Sequence, residues 1–261
     1  MKVLDLEQLV NVRNTYSVGG GAVTASDAGV RLTVGPTAGD GYANAQLDDY
    51  HSDGQMRRRS PLRLTVRARF SHEAGSLRGT AGFGFWNDPL GMTGRRRLRL
   101  PQAAWFFFGG PDTDMPWRHG VKGNGWKAAT VDAGGSQLGA LVPLLLPGAP
   151  VAALAMRSWW VYRRLWPPLE RLLGVDEAEV TVNMGEWHDY ALEWRHDRVT
   201  FAIDGQRVLV TKRAPRGPMG LVIWIDNQYM VATPQGRFAH GVVKVDEQWL
   251  ELAALELTAP V

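Results

Sequence analysis

Residues 185–210, GEWHDYALEWRHDRVTFAIDGQRVLV, decide the architecture. His188, Tyr190, Leu192 and Trp194 fall on one side of an extended chain, with Asp189, Ala191, Glu193 and Arg195 on the other. This is the period of two imposed by a sheet with one buried and one wet face. Arg195 to Arg198 supplies a polar turn. Val199, Phe201 and Ile203 then alternate with Thr200 and Ala202, and Asp204-Gly205 is a dipeptide that accepts the positive φ of a type I′ hairpin turn. A third strand over 206–211 completes a meander.

The same alternation recurs outside this stretch. Over 62–70, Leu62, Leu64, Val66 and Ala68 oppose Arg63, Thr65, Arg67 and Arg69, so an arginine ladder faces solvent or a ligand. Residues 13–34 read as an edge hairpin interrupted by Gly19-Gly20-Gly21, and 41–50, GYANAQLDDY, as a strand with polar residues on one face. A chain of 261 residues, 45% apolar, with 30 glycines and 15 prolines, suits one large β domain with many turns. Its 29 basic and 26 acidic residues leave a net charge of +3, a small arginine excess that implies no nucleic-acid partner. The absence of cysteine excludes disulfides, thiolate metal sites and thiol nucleophiles. Asp5 and Glu7 interrupt the N-terminal stretch where an export signal needs an apolar run, which favours a cytoplasmic or membrane-peripheral location.

Trp187-His188-x-Tyr190-x-x-Glu193-Trp194, followed by Val199-x-Phe201-x-Ile203-Asp204-Gly205, resembles the matching strands of the family-sixteen glycoside hydrolases, the laminarinase and lichenase group. Pro218 to Asn227 looks like the family's next concave-face strand and Trp249 to Leu257 like its closing strand. The likeness covers roughly residues 60–134 and 180–258. It implies an all-β, concanavalin A-like jelly-roll sandwich of two antiparallel sheets and a glycan in the concave groove; the chain reads as one domain over 1–261 with a helical insertion at 138–178. In that family one strand presents Glu, Asp and Glu at alternating positions, the first as nucleophile and the last as acid/base of a retaining reaction. The corresponding stretch here, Ala103-Ala104-Trp105-Phe106-Phe107-Phe108, has no carboxylate, so those roles are not transferred.

Aromatic residues gather in AGFGFWNDP (81–89) and PQAAWFFFG (101–109). Gly82, Gly84 and Trp86 share a face, so small residues leave open surface beside an indole. An indole stacks on the apolar face of a pyranose while neighbours such as Asn87 and Asp88 take its hydroxyls. Trp105, Trp126, Trp224, Asp226 and Asn227 complete the candidate ligand surface. Trp224 and Asp226 share one face of LVIWID, opposite Leu221, Ile223 and Ile225, making Asp226 the best single acid. Trp126, Ala128, Thr130 and Asp132 form a comparable face, and Asp132 is the second candidate carboxylate. A catalytic pair requires a separation of roughly 5–5.5 Å or about 6.5–9.5 Å.

The six histidines show no metal-ligand spacing, and no metal site or cofactor is implied. Asp48-Asp49 or Asp112-x-Asp114 could lend oxygens to a structural calcium, but there is no twelve-residue calcium loop. Arg57-Arg58-Arg59 and Arg95-Arg96-Arg97 with Arg99 are short basic runs suited to solvated loops. Residues 138–175 depart from the resemblance. Positions 138–156 carry no charge, yet Pro143, Pro147 and Pro150 break any continuous spanning helix. Pro150 suits the first turn of a helix running to about Leu165, stopped by Pro167-Pro168, with a short second helix ending at Gly174. Trp159, Trp160, Tyr162 and Trp166 interleave with Arg157, Arg163 and Arg164, a pattern that suits packing on the chain's own sheet, self-association or a membrane surface. Three functions follow. One is a carbohydrate-binding, glucanase-like protein without the standard acids. The second is a glycoside hydrolase or polysaccharide lyase working through Asp226 and Asp132, and the third a peripheral membrane or oligomeric scaffold protein acting through the insertion.

Overall fold

A computed structural model describes residues 2–10, 14–37, 41–88, 100–133, 155 and 157–259. Arg95, Arg96, Arg97, Arg99, Pro150 and the uncharged stretch up to 154 lie outside them. The chain opens with β1 (Lys2–Asp5) and one helical turn, α1 (Leu6–Leu9), where the Asp5 carboxylate accepts from the Gln8 amide and Gln8 Oε1 accepts from the Asp5 amide. β2 (Thr15–Val18), β3 (Ala22–Ser26), β4 (Gly29–Val34) and β5 (Asn44–Asp48) follow, then β6 (Leu62–Phe70), β7 (Thr80–Trp86), β8 (Gln102–Gly109) and β9 (Gly125–Asp132). After helix α2 (Trp159–Leu173) come β10 (Asp176–Glu179) and the meander β11 (His188–Trp194), β12 (Val199–Ile203) and β13 (Gln206–Thr211). β14 (Gly220–Asp226), the hairpin β15 (Gln228–Ala232) and β16 (Phe238–Val242), and β17 (Gln248–Thr258) end the fold.

Two large sheets result. The meander sheet runs β13-β12-β11-β6-β17-β4-β3, with β1 also on β17; the tryptophan sheet runs β10-β9-β8-β7-β14-β5-β2. Every named pairing in both is antiparallel, the arrangement of a jelly-roll sandwich. The meander follows the sequence pattern strand for strand, and Asp204 (φ 50°) and Gly205 (φ 79°) both take the left-handed conformation that a type I′ turn demands.

The core lies between the sheets. Tyr190 of the meander sheet meets Phe83, Phe106 and Trp126 of the tryptophan sheet edge-on, with ring centroids 5.0, 5.1 and 5.8 Å apart. Such pairs contribute about 0.5–1.5 kcal/mol each beyond their buried area. Trp126 is therefore a core residue, 2% exposed, and not part of a ligand surface. The face it shares with Ala128 and Thr130 points inward, because a large apolar ring gains most from burial, and this turns Lys127 outward.

Two further expectations are corrected. Residues 13–34 do not form one hairpin: β2 pairs with β5 in the tryptophan sheet, while β3 and β4 pair in the meander sheet. Gly19 and Gly20 take the chain across. Gly19 has φ +60°, and a Cβ there would lie 1.7 Å from the Tyr42 carbonyl oxygen. The helix of the insertion is not divided at Pro167-Pro168. It runs from Trp159 to Leu173, and the two missing N–H groups fall on a stretch where Arg163 and Arg164 are exposed, so that the cost of interrupting the helix ladder is borne at the solvent side. Its buried face stacks Tyr162 on Trp166 at 6.3 Å and sets Tyr162 against His119 at 5.6 Å. Glu170 also accepts the His119 amide, seating the helix on the loop that follows β8. Among the described residues no helix is long and apolar enough to cross a membrane.

Gly19→Ala is expected to cost at least about 2 kcal/mol, since it adds left-handed strain to a backbone clash. Urea unfolding would show a lowered midpoint at unchanged slope, and an unaltered midpoint would refute this account of the crossing.

Candidate functional site

The inward parity of β7, β8 and β14 places the alternate residues on the outer face of the tryptophan sheet. Gly82 lies between Phe107 of β8 and Trp224 of β14, and Gly84 between Trp105 and Val222. These glycines are not open surface. A Cβ on Gly82 would lie 2.9 Å from Trp224 Cη2, so Gly82 is a seat for that indole, and one on Gly84 would lie 2.7 Å from Trp105 Cβ, so Gly84 lets the β8 chain at Trp105 approach closely.

The seated rings overlap like shingles. Trp105 lies 6.0 Å from Trp86, 5.5 Å from Phe107, 5.4 Å from Trp224 and 6.3 Å from Trp117, with interplanar angles between 30° and 45°. Phe107 also stacks on Trp117 at 26°. Two indoles are fixed by hydrogen bonds: Trp86 Nε1 donates to Tyr50 Oη at 2.6 Å, and Trp224 Nε1 to Thr80 Oγ1 at 2.9 Å. Trp224 is 8% exposed, while Trp86, Trp105, Phe107 and Trp117 are half-buried and present ring area to solvent. Among the described residues the Trp105 Nε1–H has no hydrogen-bond partner.

The polar candidates behave differently. Asn87 donates to the Leu100 carbonyl at 2.9 Å and accepts the Gln102 amide at 3.0 Å, joining the two ends of the 87–102 connection. Asp88, 6% exposed with φ 45°, is buried beside it. Asn227 is fully buried, accepting the Ala43 amide and donating to the carbonyls of Gly41 and Val243. None of the three is free to take a sugar hydroxyl. Of the candidate ligand residues, the structure brings together Trp86, Trp105 and Trp224.

Asp226 lies on the same outer face. Its Oδ1 accepts from the Thr80 amide (3.2 Å), Thr80 Oγ1 (2.8 Å) and the Gln228 amide (3.1 Å). Burial pushes its carboxyl up to about 7 against these hydrogen bonds. Asp132 belongs to the inward face at the far end of β9, where Gln102 Nε2 donates to it at 2.6 Å. Asp226 is level with Gly125 through Thr80 and Gly109, so Asp132 is displaced by seven residues, roughly 23 Å along the strand, and by three strands, about 14 Å across. The two acids cannot form a catalytic pair. Asp48, on the outer face of β5 opposite Val222, is also about 13 Å along the strand from the level of Asp226. β8 itself presents Ala103, Trp105 and Phe107 outward, none of them acidic.

Several residues of this face escaped the sequence pattern. Phe107 was legible, since it shares the parity of Trp105. Trp117 and Glu177 were not, because one comes from an irregular loop and the other from a four-residue strand. Glu177, 1% exposed, pairs with Lys127 at 3.1 Å and accepts the amides of Trp117 and Arg118 at 3.0 and 2.9 Å, and burial raises its pKa. Three of the acids named for calcium face arginines, Asp49 pairing with Arg58, Asp112 with Arg78 at 2.5 Å and Asp114 with Arg237 at 3.3 Å, while Asp48 accepts the amides of Tyr50 and His51. Among the described residues no group of three or more histidines and carboxylates could hold a metal.

No family model and no curated protein sequence matches the chain. Solved structures do. An endo-β-1,4-glucuronan lyase from the fungus Trichoderma reesei is 14% identical, over 100% of this chain and 96% of that one, with a TM-score of 0.50. The chain shares the jelly-roll sandwich fold of that lyase. A β-1,3-1,4-glucanase (lichenase) derived from a mouse hindgut metagenome is 11% identical over 96% of this chain and 95% of its own, at a TM-score of 0.49. A Bacillus licheniformis β-glucanase is 12% identical over 96% and 94%, at 0.45. The likeness to the family-sixteen hydrolases is one of architecture.

The Asp226 carboxyl holds its proton to about pH 7 in the folded chain but only to about 3.8 when unfolded. Between these values only the folded state is protonated, so this group makes stability fall as pH rises from about 4 to 7, by at most about 4 kcal/mol. Asp226→Asn keeps the Oδ1 acceptor and removes the titration. Urea midpoints at pH 4.5 and 7.5 should converge in the variant; a difference equal to the parent's would remove Asp226 as the source.

Proposed function

We propose that the outer face of the tryptophan sheet binds a polysaccharide chain, with Trp86, Trp105 and Trp224 as its stacking residues. The observation that carries this reading is the floor of five aromatic rings, four of them half-buried, set side by side on one face of the sheet. A pyranose offers an apolar face of C–H groups to such rings and hydroxyls to polar groups at the margin. Thr80, half-buried, stands at that margin, tied to the floor through Trp224. The glucuronan lyase of like architecture acts on a polysaccharide, which agrees. Binding without hydrolysis is favoured by the outer face of β8, Ala103, Trp105 and Phe107, which has no acid, and by the separation of Asp226 from Asp132.

Trp105→Ala should weaken retention on the matching polysaccharide at least tenfold, about 1.4 kcal/mol, in affinity electrophoresis across neutral and acidic glucans. The circular dichroism spectrum should not change. If the parent is retained by no polysaccharide in a broad panel, or the variant is retained as well as the parent, the reading fails.

A second reading concerns α2. Trp160 is 64% exposed with the Arg164 guanidinium 4.2 Å from its ring, and Leu165 is 43% exposed beside them. An indole next to guanidinium groups suits the headgroup layer of an anionic membrane. On this reading the protein floats with phosphatidylserine vesicles and Trp160→Glu abolishes flotation, whereas flotation unaffected by that change would exclude α2 as the contact.

A further inference from the structure

The outer face of the meander sheet, on the far side of the sandwich from the aromatic floor, carries a trough of about 840 Å³. Its floor follows from register. Ala202 of β12 pairs with Ala191 of β11, and Ala191 with Thr65 of β6, so one row across three strands holds only small side chains. The neighbouring rows carry longer ones, Glu193 and Arg63 on one side, Asp189 and Arg67 on the other. Arg63 and Arg67 are four residues apart on one strand, about 13 Å, so the charged rows wall a channel that crosses the strands.

The walls are charged but not balanced. Five arginines, Arg63, Arg67, Arg195, Arg198 and Arg207, line the trough with three carboxylates, Asp189, Glu193 and Glu256. Arg67 holds Asp189 at 2.9 Å, and Glu193 pairs with Arg195 and, at 3.8 Å, with Arg63. Arg198 and Arg207 are exposed, and among the described residues neither is paired with a carboxylate. Arg207 lies directly beyond Ala202, at the end of the small-residue row, which concentrates the unpaired positive charge on that side.

We infer that this trough is a second binding groove, one for an extended anionic polysaccharide. Arg198 and Arg207 take its acid groups and the paired Asp189 and Glu193 accept its hydroxyls. Guanidinium forks meet carboxylates or sulfates in bidentate geometry. A nucleic acid is disfavoured on two counts: among the described residues no exposed ring lies in the trough for a base to stack on, and a surplus of two charges is small against a polyphosphate. This groove is separate from the aromatic floor and stands or falls without it.

The test uses the full chain and polygalacturonate at low salt, with binding followed by affinity electrophoresis and calorimetry. The parent should bind. The Arg198→Ala/Arg207→Ala double variant should bind at least tenfold more weakly, with a shallower salt dependence. Ala191→Trp fills the floor without changing charge and should cause a comparable loss, while Trp105→Ala should leave polygalacturonate binding intact. The inference is overturned if the parent does not bind, if binding survives both trough variants in folded protein, or if Trp105→Ala abolishes it. Displacement by a single-stranded oligonucleotide at lower concentration than by the polyuronate would also overturn it.

Discussion

The edge-on contact of Tyr190 with Phe83, Phe106 and Trp126 governs the rest of the structure, because a strand has only two faces. With Phe83, Phe106 and Trp126 pointing inward, Gly82, Gly84, Trp105, Phe107 and Lys127 must point outward. The bare glycines and the large indoles are then set side by side on adjoining strands. A slip of one residue in β8 would bury Trp105 and Phe107 and expose Phe106 and Phe108, losing the inter-sheet aromatic contacts and the outer floor together. The core and the candidate site are thus two readings of the same register.

The floor is an exception to what such a face ordinarily carries. Glycines in the middle of β7 weaken a strand by removing packing and adding unfolded-state entropy. Here the space at Gly82 is filled by the Trp224 ring and that at Gly84 by the backbone and Cβ of Trp105, so contact with these neighbours replaces the missing side chains. Trp86 and Trp224 are further pinned through Tyr50 and Thr80. A surface of half-buried rings held in place gives up little conformational entropy when a ligand stacks on it, which is the condition for useful affinity from a modest contact area.

How much of this the sequence disclosed varied with how local each feature was. Period-two alternation places β6, β11 and β12 at their observed limits, because a half-buried strand writes its burial into every second residue, and the Asp204-Gly205 turn places β13. Between two apolar-rich faces, as in β9, alternation identifies two sets of residues but not which one is inward. That is why Trp126 and Asp132 were assigned to the ligand side. Gly19 to Gly21 looked like a turn within one sheet, since a crossover between sheets has the same local chemistry as a hairpin. Trp117 reaches the floor from an irregular loop held by Glu177, a contact between residues 60 positions apart that no pattern announces.

The carboxylates around the floor share a role that bears on chemistry. Asp48 accepts the amides of Tyr50 and His51, Asp49 that of Leu221, Glu177 those of Trp117 and Arg118, and Asp226 those of Thr80 and Gln228. Each clamps backbone at the rim of the face, and for each of them burial raises the pKa. Buried amides that would otherwise lack a partner are satisfied this way. An acid committed to several donors is poorly placed to protonate a leaving oxygen or attack a sugar carbon, since either act would strip the rim of its bonds. The acids on this face are thus engaged in backbone clamps that hold the aromatic floor in shape.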